Sequence, residues 1–218
     1  MRNAIIKLLS RTVVGKICFY GGEDVKKRTC LKVNEKIFSR FYKPWILVIP
    51  WTTENKVKEL KYKRILREYF RDIGAGEVSF LEKGYPVDRL RGKFENADIL
   101  YLPGGETEFL LKSIKEEEIE GLIREFPGVI IGNSAGALVL GKYCIVGKQE
   151  HGLSLKEGLG LVDFSVYVHY DPKRDFKIVK KMARGRVFFA LPESAVLELD
   201  KKTGRINTLG DIYLFYKP

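Results

Sequence analysis

Short apolar runs alternate with amphipathic segments over the first two thirds of the chain. "GKICFY" (15–20), "WILVIPW" (45–51), "EVSFLE" (77–82), "DILYLPGG" (98–105) and "GVIIGN" (128–133) read as strands. They are apolar almost throughout, as parallel strands covered on both faces are. Between them "LKVNEKIFSRFY" (31–42), "NKVKELKYKRILREYFRDIG" (55–74) and "VDRLRGKFENA" (87–97) read as helices, followed by "FLLKSI" and "EEEIEGLIREF". Strands alternating with helices predict βαβ units around a mostly parallel sheet. Right-handed crossovers would gather the loops that follow the strands along one sheet edge. The pattern changes after about residue 143. "YCIVGK", "FSVYVHY" (164–170), the helical "DFKIVKKMA" and "RVFFALPE" come next, with "KQEHGLSLKEG" read as a polar loop. The end, "AVLELDKKTGRINTLGDIYLFYKP", predicts short antiparallel strands joined by a "KKTG" turn at a sheet edge. The expected fold is a doubly wound, three-layer α/β domain with antiparallel strands at its C-terminus. No linker or repeat interrupts it, so residues 1–218 are expected to form one domain.

Composition changes this picture little. Hydrophobic residues make up 45% and charged residues 31% of 218 residues, an ordinary globular balance with enough chain for a substantial core. No apolar run approaches the roughly 20 residues of a membrane-spanning helix. The opening "MRNAIIKLLSRTVVGK" has some character of a signal peptide, but Lys7 interrupts it and no small-residue cleavage site follows. A cytoplasmic protein with no membrane partner is the expectation. Cys18, Cys30 and Cys144 are odd in number and widely spaced, which predicts buried thiols rather than a metal cluster or disulfides.

The net charge of +11 is uneven: 18 Lys and Arg face 7 Asp and Glu up to Ala75, and 21 face 21 beyond it. Such asymmetry can mark a nucleic-acid surface. Much of it, however, lies on the segment 55–74, where Tyr62, Ile65, Leu66, Tyr69, Phe70 and Ile73 keep helical spacing. The basic residues then occupy the solvated face of an amphipathic helix, and nucleic acid is not the expected partner.

The chemistry gathers at "VIIGNSAGALVL" (129–140). A Gly-x-Ser-x-Gly turn between a strand and a helix is a nucleophile elbow. The corner is so tight that Gly132, Ala135 and Gly136 must be small. Ser134 then stands where free N–H groups and the helix dipole favour negative charge. The Ala135 amide is placed to bind an oxyanion formed at Ser134. A serine nucleophile needs a base, and the chain has two histidines. His151 lies in a polar stretch, whereas His169 ends an apolar strand, where parallel-sheet active sites gather. His169 is therefore the expected base. "LYLPGGETEF" supplies a further feature: without side chains, Gly104 and Gly105 let backbone amides approach a substrate.

Together, "YLPGGETEFLL", "IIGNSAGALVL", "GLGLVDFSVYVHYD" and "FFALPESAVLEL" resemble the peptidase E (aspartyl dipeptidase) and cyanophycinase family of serine peptidases. The resemblance runs in order from about residue 15 to 200. It implies a fold like that of class I glutamine amidotransferases and a Ser-His-Glu triad, matched here by Ser134, His169 and Glu193 of the "LPE" motif. It also implies Gly105 as the second oxyanion donor. Glu193 follows an apolar strand and so agrees with that assignment, but Asp171, two residues from His169, is a rival orienting acid. The order Ser…His…Glu departs from the Ser…Asp…His order of α/β-hydrolases.

The implied activity is hydrolysis of small peptides through an acyl-enzyme, dipeptidase-like, with no metal or cofactor; HExxH is absent. Dipeptidase members of the family favour an N-terminal aspartate, which calls for a cation. Arg174 is the candidate taken forward, with Lys173 and Lys177 beside it. Gly104, Glu106 and Asn133 are the other expected substrate-binding residues, Glu106 and Asn133 being departures from common family residues. A homodimer is allowed for. Two alternatives stay open: a binding or sensory protein on the same fold, and a nucleic-acid-associated protein using the basic first third. Glutamine amidotransferase activity is disfavoured because that class carries cysteine at the elbow.

Overall fold

In the computed structural model, which describes residues 15–148 and 152–218, the main sheet is built around β1 (Lys16–Tyr20). Beside it lies β5 (Val129–Asn133), then β4 (Ile99–Leu102), β2 (Trp45–Val48) and β3 (Glu77–Phe80), all parallel. On the other flank of β1, β10 (Val196–Asp200) and β11 (Ile206–Leu209) pair antiparallel, giving the order β11-β10-β1-β5-β4-β2-β3. The N-terminal stretch compared above with a signal peptide, save its last residues, and His151 lie outside the described residues.

Alternate residues of the central strands feed two cores, which is why these strands carry little polarity. Cys18, Tyr20, Ile46, Val48, Tyr101 and Ile131 pack against helices α1 (Leu31–Phe38) and α2 (Lys56–Asp72). Ile17, Phe19, Leu47, Leu100, Leu102 and Ile130 point to the opposite face. There they meet α3 (Val87–Asn96), α4 (Thr107–Glu116), α5 (Glu120–Arg124) and α6 (Ala135–Leu140). The mixed α/β architecture is thus the expected one: three layers with a mostly parallel sheet in the middle.

The third of the chain after residue 143 is more elaborate than its pattern suggests. β6 (Tyr143–Lys148) pairs antiparallel with β7 (Gly152–Glu157), so the part of "KQEHGLSLKEG" read as loop is a strand from Gly152 on. Only Leu153 and Leu155 are half-buried there, and a ribbon with one wet face has too few apolar positions to stand out. β8 (Ser165–Val168), β9 (Val187–Leu191) and β12 (Tyr213–Tyr216) form a separate three-stranded sheet, with α7 (Pro172–Met182) between β8 and β9. β8 and β9 are parallel. The "LPESA" corner (191–195) then carries the chain from this small sheet to β10 of the main one. The expected "KKTG" turn joins β10 to β11, with Asp200 Oδ1 accepting from the amides of Lys202 and Thr203.

Candidate active site

The C-terminal ends of β1, β4 and β5 meet at one edge of the main sheet, where the loops that follow them wall a cavity of about 320 Å³. Ser134 stands at the turn from β5 to α6 with φ 51° and ψ −109°. An L-residue in that region is strained, and glycines make the corner possible. A Cβ on Gly136 would stand 2.0 Å from the Leu102 carbonyl oxygen, and one on Gly132 2.6 Å from that of Gly136. The Ser134 amide donates to Tyr20 O across the sheet (3.1 Å).

His169 follows β8 with φ 54°, its amide donating to Gly21 O (2.8 Å). Its ring reaches Ser134: Oγ and Nε2 are 2.7 Å apart. On the other side Nδ1 lies 2.5 Å from Glu193 Oε1. A hydroxyl, an imidazole and a carboxylate therefore form one hydrogen-bonded chain, taken from segments 35 and 24 residues apart. Ser134 is half-buried, while His169 and Glu193 are exposed at the cavity mouth. Asp171 is engaged elsewhere, as N-cap of α7, where its side chain accepts from the Lys173 amide (2.9 Å).

Gly104 and Gly105 follow β4 and line the same cavity. A Cβ on Gly104 would sit 3.3 Å from Ser134 Cβ, so the glycine lets its loop press against Ser134. Gly105 has φ 142°, and a Cβ there would meet Thr52 at 2.6 Å. Neither the Gly105 nor the Ala135 amide has an acceptor among the described residues.

The remaining expected positions lie differently. Asn133 lines the cavity, but its side chain is buried and held by the protein: Oδ1 accepts from the Glu23 amide (2.8 Å), and Nδ2 donates to Glu23 O (3.3 Å). Glu106 is exposed at the N-cap of α4, off the cavity wall, and its side chain makes no cap bond. Arg174 is outside the Ser134 cavity. It lines a separate opening beyond His169 and Glu193, donating twice to Asp175 (2.8 and 2.9 Å) and once to His169 O (3.0 Å). The cations on the cavity wall are Lys58 and Lys63, and Lys63 is paired with Glu59 and Glu82.

Sequence reasoning missed the segment Gly21–Glu23, which follows β1. Gly22 backs the histidine and the carboxylate: a Cβ there would stand 2.3 Å from Glu193 Oε2 and 2.6 Å from His169 Cε1. Glu23 is buried on the cavity wall beside Ser134. The signal was available, since "FYGGE" repeats the strand-then-two-glycines pattern of "YLPGGE". Among the described residues no cluster of His, Cys, Asp and Glu could hold a metal, and no helix is long and apolar enough to cross a membrane. Cys18, Cys30 and Cys144 are free and buried, and burial pushes the Cys18 and Cys30 thiols up to about 12.

A strand-edge serine hydrogen-bonded to a histidine, on a parallel sheet covered by helices, defines a hydrolase class with a nucleophile elbow. The chain belongs to peptidase family S51, whose model matches residues 19–206, and it is a serine-type peptidase. Solved structures agree in fold. One, a peptidase from an acI-B1 Actinobacterium, superposes with a TM-score of 0.71 at 17% identity, over 93% of this chain and 91% of the other. Another, a peptidase E-like protein from Listeria monocytogenes EGD-e, gives 0.67 at 19% identity, over 90% and 98%. No curated protein sequence matches the chain.

Proposed function

We propose that this peptidase hydrolyses small peptides, in the manner of a dipeptidase, through an acyl-enzyme on Ser134. The observation that carries the reading is the unbroken hydrogen-bonded chain from Ser134 through His169 to Glu193 at the mouth of a cavity. Ser134 Oγ attacks the peptide carbonyl as His169 Nε2 takes its proton, and Glu193 holds the imidazole tautomer and steadies the imidazolium. The amides of Gly105 and Ala135 receive the oxyanion, each donor being worth about 3 kcal/mol of barrier. His169 then passes the proton to the leaving amine, the C–N bond breaks, and water activated by the same histidine releases the acid. Asn133 lines the same cavity, and its side-chain bonds to Glu23 fix the corner beneath Ser134.

The cavity suits a short peptide. An acidic substrate group inside it would meet Lys58, which makes no ion pair with described residues, rather than Arg174. Lys58→Ala is expected to raise KM for Asp-X dipeptides several-fold while leaving Ala-X dipeptides unaffected, measured by steady-state kinetics. The central test is labelling by a fluorophosphonate together with a dipeptide library. The wild type is expected to label at Ser134 and to hydrolyse a subset of dipeptides, and Ser134→Ala to do neither. Hydrolysis surviving in Ser134→Ala would end the reading.

A further inference from the structure

Glu23 touches the triad's supports without belonging to the triad. The residue is 7% exposed, and its two carboxyl oxygens are treated unequally. Oε1 accepts from Tyr69 Oη (2.7 Å) and Asn34 Nδ2 (2.9 Å), whereas Oε2 is buried with no hydrogen-bond partner. The donors cannot be redistributed easily, because Asn34 is fixed by Tyr20 Oη, which donates to its Oδ1 (2.7 Å). Around the carboxyl stand Tyr20 of β1, Asp24, Cys30 ahead of α1, Tyr62 and Tyr69 of α2, and Tyr101 of β4. None of these is a cation. Lys58 and Lys63 line the same cavity, but Lys63 is held by Glu59 and Glu82. An ionised carboxylate spreads its charge over both oxygens, and with no cation beside it that charge would rest, away from water, on the neutral donors Tyr69, Asn34 and Tyr101 alone. The neutral acid buries no charge: Oε1 stays the double acceptor, and a proton on Oε2 leaves an unpaired hydroxyl, which costs less than an unpaired charge.

The main chain of this residue is tied to the reacting groups. Its N–H and C=O both engage the Asn133 side chain, next to Ser134. Gly22 lies against His169 and Glu193, its oxygen accepts from the Ser194 amide (2.9 Å), and Gly21 O accepts from the His169 amide. We infer that Glu23 is a positioning residue that works in its neutral form, anchoring through α1 and α2 the segment that keeps Ser134, His169 and Glu193 in register, and that its ionisation loosens that segment. The inference rests on the catalytic reading above. Burial pushes the carboxyl up to about 7 in spite of the hydrogen bonds from Tyr69, Asn34 and Tyr101, so the change falls near neutral pH.

Glu23→Gln imitates the neutral acid, and two measurements on the full chain test it. The first, thermal unfolding against pH, does not depend on catalysis. The native carboxyl keeps its proton where the unfolded chain has lost it, so this contribution to stability is full below the unfolded value and fades as pH rises to about 7. The wild-type melting temperature is expected to carry that decline and Glu23→Gln to lack it. The second is the rate of fluorophosphonate labelling at Ser134. The ratio of variant to wild-type rate, which cancels the titration of the shared base, is expected to rise about threefold or more between pH 6 and 8.5. Tyr69→Phe removes a donor to the charged form and should move the wild-type fall to higher pH; it serves as the decisive variant should Glu23→Gln not fold. Parallel melting curves, or a flat labelling ratio, would overturn the inference. So would a rise in KM confined to peptides with a free amino terminus, which would make Glu23 a receptor for the substrate's ammonium group. A wild type that neither labels nor hydrolyses would defeat the peptidase mechanism and the positioning role together, while the melting curves would still decide the protonation state of Glu23.

Discussion

Ser134 holds its hydroxyl in a backbone conformation that costs energy, and the surrounding glycines show how narrowly that conformation is enclosed. Glu193→Gln keeps the shape of the hydrogen-bonded chain but removes the charge opposite the imidazolium. It is expected to lower kcat about 10³- to 10⁴-fold with an unchanged melting temperature, the magnitude seen when the acid of a serine triad is made an amide. Gly22→Ala places a methyl group where Glu193 Oε2 and the His169 ring now lie. Labelling of Ser134 should fall by more than about 10²-fold while the circular dichroism of the fold persists. Ser134 and His169 were legible because each sits on a local signature, a glycine-framed corner and the end of an apolar strand. Glu193 came from family resemblance alone. Glu23 was illegible as a buried acid because it opens the polar run "EDVKKR", and the hydroxyl that receives it is 46 residues away.

At the level of elements, the strand-helix alternation gave the five parallel strands within a few residues, since strands buried on both faces carry an unbroken apolar signal. The ends were less visible. The segment 31–42 reads as helix to its last residue, yet α1 stops at Phe38, and Pro44 sits just ahead of β2. The small sheet was legible as strands but not as a sheet, because nothing local in "FSVYVHY" or "RVFFALPE" says which neighbours they choose. The helix that links them offers a test of the acid assignment. Asp171→Ala removes the N-cap of α7 and is expected to cost about 1 kcal/mol in denaturant unfolding, with Asp171→Asn nearly neutral. Labelling of folded Asp171→Ala should stay within about threefold of wild type, because the cap lies outside the hydrogen-bonded chain. A collapse of labelling would restore Asp171 as the orienting acid.

Across the molecule, among the described residues, much of the positive surplus lies on the solvated face of α2. Leu66, Tyr69 and Phe70 turn inward from α2, while Lys56, Lys61, Arg64 and Arg71 face water; Arg64 meets Glu68 there, and Lys56 reaches the buried Glu59. Any binding to duplex DNA is therefore expected to be weak and to vanish as salt is raised to about 0.2 M in a fluorescence titration. That helix departs from its expected faces at Tyr62, whose spacing predicts core but which is 39% exposed and borders the Ser134 cavity, and at Lys63, expected in water but buried against Glu59 and Glu82. Finally, Ser134 belongs to one sheet and His169 to another, yet Val166, Phe188 and Leu191 of the small sheet share a single apolar cluster with Phe19, Leu102 and Leu197 of the large one. Such a molecule has no comfortable halfway condition in which the scaffold stands and the chemistry idles. Loss of labelling and the change in Trp45 and Trp51 emission should occur at the same denaturant concentration, so that competence to react becomes a faithful gauge of whether the chain is folded at all.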